Sequence, residues 1–191
     1  MARSPAGLPD QTHFIGVLAP EPLAETLDRC RHWMGEQFGC RSGFATPFHV
    51  TLIPPFAMND DCMLPLMEKS IERAAERLSS FMARVEGFGA FAERTVFAQV
   101  IPDERWPGLR DAVFESLSAE CPAFTRKDIR PFVPHLTVAN RDIPFGAVPR
   151  ALQYFQHINL VEVFPVDHIA LFERRRGVWE TARAWRLGTS E

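Results

Sequence analysis

Two short stretches hold residue types that can do chemistry. Phe48-His49-Val50-Thr51-Leu52 is followed, 86 residues later, by Pro134-His135-Leu136-Thr137-Val138. In an extended strand successive side chains point to opposite faces. His49 and Thr51 then share one face while Val50 and Leu52 are offered to a core, and His135, Thr137, Leu136 and Val138 repeat the arrangement. Two imidazoles can divide the work of general base and general acid, and two hydroxyls can hydrogen-bond the non-bridging oxygens of a phosphate held between them. Hydrolysis of a cyclic phosphodiester needs those services: water is deprotonated as it attacks phosphorus, and the departing ribose oxygen is protonated from the opposite side. With an ordinary pKa of about 6.5, one imidazole can be neutral and the other charged near neutral pH, which predicts a bell-shaped rate profile.

The chain supplies its own comparison. His157-Ile158-Asn159-Leu160 and His168-Ile169-Ala170-Leu171 also suit strands, but neither has a hydroxyl two residues on, and His13 and His32 lack the pattern altogether. These four are read as structural. No Asp or Glu occurs from Ala45 to Ala57 or from Ile129 to Arg141, which argues against a metal-dependent hydrolase. The cysteines at 30, 40, 62 and 121 form no CxxC pair and have no histidines at zinc spacing, so they are read as reduced thiols. With no P-loop and no Gly-rich dinucleotide fingerprint, no cofactor and no metal are expected. Arg126, Lys127 and Arg130 precede the second histidine and Arg41 the first, where a cation meets a phosphate. Phe48, Phe56 and Phe132 flank the motifs as candidate base-stacking residues.

The elements that would position these groups follow from periodicity. Residues 1–12 read as a flexible arm and residues 13–191 as one bilobal domain. A buried strand is predicted over Phe14–Leu18. A helix follows, with Pro22 in its first turn and Leu23, Leu27, Cys30 and Met34 on one stripe. Pro54-Pro55 is expected to stop the first histidine strand. Asn59-Asp60-Asp61 offers caps for a second helix carrying Met63, Met67, Ile71, Ala74 and Leu78 inward, with the methionines as core filling. Strands are predicted over Met82–Phe88 and Thr95–Ile101, joined by a loop near Ala90–Arg94. A third helix has Pro107 in its first turn, carries Leu109, Val113 and Leu117 inward and ends before Pro122. A fourth spans Gly146–Phe155, and strands over Ile158–Phe164, Val166–Glu173 and Val178–Leu187 complete the chain, with a turn at Gly177. Arg174-Arg175-Arg176 reads as a solvated hairpin end.

Strand, helix, loop, histidine strand and helix thus occur twice. Phe14 precedes His49 by 35 residues and Phe97 precedes His135 by 38, as in an internal duplication. The expected fold is α+β: two pseudo-symmetric lobes, residues 13–85 and 86–191, of antiparallel-type sheet with outer helices, sharing a central cleft.

The paired motifs, their separation, the run Thr137-Val138-Ala139-Asn140-Arg141 and the closing pattern Ile169-Ala170-Leu171-Phe172 with Trp185-Arg186-Leu187 resemble the two-histidine (2H) phosphoesterase superfamily. The similar branch is the bacterial one of 2'-5' RNA ligases and RNA 2',3'-cyclic phosphodiesterases. The resemblance runs from Phe14 to Leu187. It implies catalytic roles for His49, Thr51, His135 and Thr137 and a substrate-binding role for Arg141, although Asn140 stands where the family often places the arginine. It also implies hydrolysis of a 2',3'-cyclic phosphodiester to a 2'-phosphate, with ligation of an RNA 5'-hydroxyl to a cyclic end as the reverse reaction. A non-catalytic module that binds nucleotides or RNA ends in the same cleft is the alternative.

Composition sets the limits. Of 191 residues, 46% are hydrophobic and 24% charged, as in a globular domain. A net charge of −3 and a pI near 6.1 disfavour a broad grip on duplex nucleic acid. A small nucleotide or an RNA terminus bearing a cyclic phosphate fits better. No apolar run approaches the ~20 residues that cross a bilayer, and the chain is read as cytoplasmic with no membrane partner.

Overall fold

The computed structural model describes residues 11–58, 61–122 and 131–188. The first apolar run forms strand β1 (His13–Leu18), buried except at Leu18. Helix α1 (Glu21–Phe38) has Pro22 in its first turn and buries Leu23, Leu27, Cys30 and Met34. It ends at Gly39, whose φ of 73° is the left-handed conformation that closes a helix without strain only when there is no Cβ. Most of the proposed N-terminal arm lies outside the described residues. Thr12, however, is tied to the fold: its Oγ1 accepts from the Met58 N–H at 2.9 Å and its own N–H reaches the Phe56 carbonyl.

Strand β2 (His49–Phe56) runs through Pro54-Pro55 rather than stopping there. It is the edge of its sheet and departs from regular register near Ile53, so the missing proline N–H groups interrupt no ladder on the open side. Helix α2 (Leu64–Glu76) begins later than the expected cap, after a 3-10 turn at Asp61–Met63, with Pro65 in its first turn and Met63 at its cap position. Asn59 and Asp60 lie outside the described residues. Met67, Ile71 and Ala74 are buried as their spacing predicts, whereas Leu78 falls beyond the helix.

Strand β3 (Phe81–Phe91) is longer than expected, because a bulge between Val85 and Phe88, with Gly87 at φ 65°, absorbs the irregularity that looked like a strand end. Strand β4 (Thr95–Val100), helix α3 (Arg105–Glu120), strand β5 (His135–Asn140) and helix α4 (Ala147–Phe155) follow the prediction closely. Strand β6 (Val161–Val166) starts three residues later than predicted, since a tight turn from the Leu160 N–H to the Ile158 carbonyl occupies the preceding segment. Strands β7 (His168–Arg175) and β8 (Val178–Arg186) close the chain through Arg176-Gly177, both at positive φ.

The strands form two four-stranded antiparallel sheets, ordered β2-β1-β7-β8 and β5-β4-β3-β6. In each, a histidine strand is the edge, beside the strand that precedes it in sequence. β2 and β5 also lie against each other, which brings the two motif faces together. The sheets divide the chain differently from the expected halves at residue 85. β7 returns to pair with β1, Ile15 opposite Leu171, so the first sheet joins both ends of the chain while β3–β6 are contiguous. The helices do not simply cover the outside: α1 reaches β5, α3 reaches β2, and α2 pairs with α3 and α1 with α4. One core cluster runs through both lobes, and a smaller one of Phe14, Ala170 and Phe172, with Trp179 against it, lies at the first sheet.

Candidate active site

His49, Thr51, His135 and Thr137 line one cavity of about 850 Å³ between the lobes. Each imidazole is fixed in the same way. His49 Nδ1 lies 2.8 Å from the Pro47 carbonyl, and His135 Nδ1 lies 2.7 Å from the Val133 carbonyl, in both cases two residues upstream. A carbonyl only accepts, so each Nδ1 carries a proton and each neutral ring keeps its lone pair on Nε2. The Thr51 hydroxyl donates to His49 Nε2 at 3.1 Å. The same carbonyls also stabilise a doubly protonated ring, so either histidine can work as base or acid.

Each ring rests on two phenylalanines from neighbouring strands. His49 is 4.4 Å from Phe14 and 5.4 Å from Phe172, centroid to centroid, and Phe14 stacks on Phe172 at 4.3 Å. His135 is 5.1 Å from Phe97 and meets Phe91 edge-on at 4.9 Å. Gly16 permits the close approach of β1 beneath the first motif: a Cβ there would stand 2.6 Å from the Val50 carbonyl oxygen and 3.4 Å from the His49 ring.

Electrostatics favour neutral rings. Burial pushes the His49 imidazole down to about 4; the Pro47 carbonyl opposes this, while the nearby His135 and Arg31 charges add to it. Burial lowers His135 as well, against the Val133 carbonyl. Arg31 comes from α1. Its Nη1 donates to the Gly43 and Thr46 carbonyls at 2.7 and 3.0 Å, and its Cζ lies 3.7 Å from the Phe48 ring centroid. It therefore ties the segment that presents the Pro47 carbonyl. Arg31→Met is expected to cost about 2 kcal/mol, because two buried carbonyls lose a charged donor, as measured by urea unfolding.

A second tie joins the lobes at the cavity rim. The Asp142 carboxylate accepts from the Arg41 and Ser42 N–H groups at 2.6 and 2.8 Å and from the Ser42 hydroxyl at 2.9 Å; Ser42 Oγ also meets the Asn140 carbonyl. Partial desolvation works against ionisation, but these donors hold the Asp142 carboxyl below the usual range. Between Asn140 and Asp142, Arg141 sits at φ 68°, outside the strand, with its N–H on the Arg94 carbonyl, and lines the cavity.

Phe132 also lines the cavity, but Phe48 and Phe56 do not: both are buried in the core. Phe48 adjoins His49, so alternation turns it to the opposite face. Phe56 packs near His13, at 6.0 Å between rings. Arg41 is engaged with Phe44 and Asp142 and is absent from the cavity wall. Arg126, Lys127 and Arg130 lie outside the described residues. Of the arginine run, Arg174 lines the cavity while Arg175 pairs with Glu173 at 2.7 Å. His13, His32, His157 and His168 stand away from the cavity wall.

Sequence reasoning missed the phenylalanine supports, Arg31, the Ser42–Asp142 tie and the wall residues Arg110 and Trp179. The near-equal offsets from Phe14 and Phe97 to their histidines were the available signal for two of the supports. Among the described residues, no three His, Cys, Asp or Glu side chains gather as a metal cluster, and no helix is long and apolar enough to cross a membrane.

A family model described as the 2'-5' RNA ligase superfamily matches residues 19–178. Among solved structures, the crystal structure of TT0787 of Thermus thermophilus matches with a TM-score of 0.71 at 21% identity, covering 94% of this chain and 100% of that one. Escherichia coli LigT in apo form matches with a TM-score of 0.65 at 19% identity, covering 94% of this chain and 98% of that one. LigT complexed with 3'-AMP gives 0.65 at 18%, covering 94% and 99%. These likenesses establish the two-lobed fold. No curated protein matches the chain.

Proposed function

The chain belongs to the 2'-5' RNA ligase superfamily, and from that premise we propose that it hydrolyses a 2',3'-cyclic phosphodiester to a 2'-phosphate by two-histidine acid–base catalysis. The observation that carries this reading is the matched fixation of His49 and His135: both Nδ1 atoms are tied to carbonyls, and both rings line one cavity with a threonine beside each. The phosphate sits between the rings, with its non-bridging oxygens accepting from the Thr51 and Thr137 hydroxyls. His49, the imidazole held at about 4, enters neutral and takes a proton from water through Nε2 as the water oxygen bonds to phosphorus. His135, made a cation by the anionic phosphate, delivers the Nε2 proton to the ribose 3'-oxygen as its bond to phosphorus breaks. Arg141 and Arg174 add positive charge at the wall. With an RNA 5'-hydroxyl taking the place of water, the same groups make a 2'-5' linkage from a cyclic end.

A nucleotide or RNA terminus is the proposed partner, in keeping with LigT having been crystallised with 3'-AMP. Location in the cytoplasm is part of this reading, on the cysteine pattern and the short apolar runs of the sequence. The test is turnover of 2',3'-cyclic AMP and of a short RNA ending in a 2',3'-cyclic phosphate, both in EDTA, with the phosphate position in the product identified. Formation of a 2'-phosphate supports the proposal. Binding of 2'-AMP without turnover of either substrate would instead favour a non-catalytic nucleotide-binding module. Thr51→Ala and Thr137→Ala are each expected to lower kcat/KM about tenfold to a hundredfold, the effect of one hydrogen bond to a charged group, as measured on the same substrates.

A further inference from the structure

The two halves repeat one feature that is used differently in each. The helix before each histidine strand sends an arginine over a phenylalanine at the strand's entrance. In the first half, Arg31 covers Phe48 at 3.7 Å; Phe48 is buried, and the Arg31 side chain, 7% exposed, directs its donors to the Gly43 and Thr46 carbonyls. That pair is sealed and structural. In the second half, Arg110 lies 5.0 Å from the Phe132 ring centroid, its side chain is 20% exposed, Phe132 is half-buried, and both line the cavity that holds the histidines. Arg110 meets the Asp111 carboxylate at 3.5 Å, which helps hold the guanidinium near the ring, and Phe114 and Pro55 line the same cavity.

Resting on the phosphodiesterase reading, we propose that Arg110 and Phe132 form a nucleobase subsite. It places the nucleoside on the His135 side of the phosphate and makes a base-bearing cyclic phosphate, rather than any small cyclic phosphodiester, the substrate class. The position of the phosphate is fixed by the paired histidines and threonines, so an aromatic ring with a cation beside it elsewhere in the same cavity serves a different part of the ligand. A half-exposed ring backed by a guanidinium suits a heteroaromatic base, because stacking and cation–π attraction act on any base's π face. The sealed twin shows that packing alone would bury such a pair. The open pair has been left accessible at the cavity.

The experiment is calorimetric binding of 2'-AMP and of inorganic phosphate to the wild type and to Phe132→Ala, Phe132→Leu, Phe132→Trp and Arg110→Met. Phe132→Leu keeps apolar bulk without a π face and serves if the alanine variant does not fold. Loss of the ring is expected to weaken 2'-AMP about tenfold to a hundredfold and phosphate by less than about threefold, with Phe132→Trp close to wild type. Arg110→Met should weaken 2'-AMP about fivefold. Equal weakening of 2'-AMP and phosphate, or a 2'-AMP affinity indifferent to both Phe132→Ala and Phe132→Leu, overturns the subsite. The two readings fail separately. A wild type that binds 2'-AMP through Phe132 yet turns over neither cyclic substrate loses the hydrolase assignment and keeps the subsite; turnover with Phe132-independent binding does the reverse.

Discussion

His49→Ala and His135→Ala are each expected to lower kcat by about a hundredfold to ten-thousandfold, the range spanned by a single general acid or base. Both changes remove half-buried rings that rest on phenylalanines without anchoring the main core cluster, so the far-ultraviolet circular dichroism spectrum should be retained. The double variant is expected to be little worse than the poorer single one, since two groups acting in one concerted step are not additive. Single-turnover rates on 2',3'-cyclic AMP decide the matter. A fully active His135→Ala protein would remove the two-histidine mechanism.

Acid should destabilise the protein through His49. In the unfolded chain this imidazole takes a proton near its ordinary 6.5, whereas in the folded protein it resists protonation down to about 4. Above 6.5 neither state binds the proton and stability is unaffected. Between 6.5 and about 4 the unfolded state binds more protons, so stability falls as the pH falls, and below about 4 the loss is complete. Between pH 7 and about pH 4.5, the wild type is expected to lose about 2–3 kcal/mol more than His49→Gln. Urea unfolding of both proteins at the two pH values gives the difference directly, with the other carboxylates and histidines largely cancelling. Parallel pH dependences would mean that the folded protein does not hold His49 neutral.

The histidine–threonine tetrad was legible because strand alternation is a local rule. Two residues apart means one face, and the repeat supplied the second copy. The two-lobed α+β fold was legible from the same repeat. What lay beyond reach depended on neighbours across the sheets. Phe172 supports His49 only because β7 returns to pair with β1, and no local pattern announces that pairing. Pro54-Pro55 was misjudged because proline breaks a strand through its missing N–H, which is of no consequence on an edge. Phe48 and Phe56 were offered as stacking residues on proximity in sequence, although adjacency to a histidine in a strand turns a side chain away from it. Arg41 was chosen for its charge, yet Arg31, ten residues earlier and hidden on an apolar helix stripe, is the arginine that holds the first motif's loop. The tie between Ser42 and Asp142 spans 100 residues and is invisible without the fold.

The unequal composition of the two sheets bears on how the protein is made. As the chain leaves the ribosome, β3 to β6 are complete once Val166 has emerged, and that sheet can assemble from one continuous stretch. β1 and β2 emerge first but stay without their inner neighbour until β7 and β8 appear at the very end of synthesis. During that interval β1, an almost wholly apolar strand, has an unpaired side open to other nascent chains. Truncations that remove the last hairpin should therefore aggregate rather than fold as a smaller domain, and the half that carries His49 is the one whose maturation waits on the C-terminus.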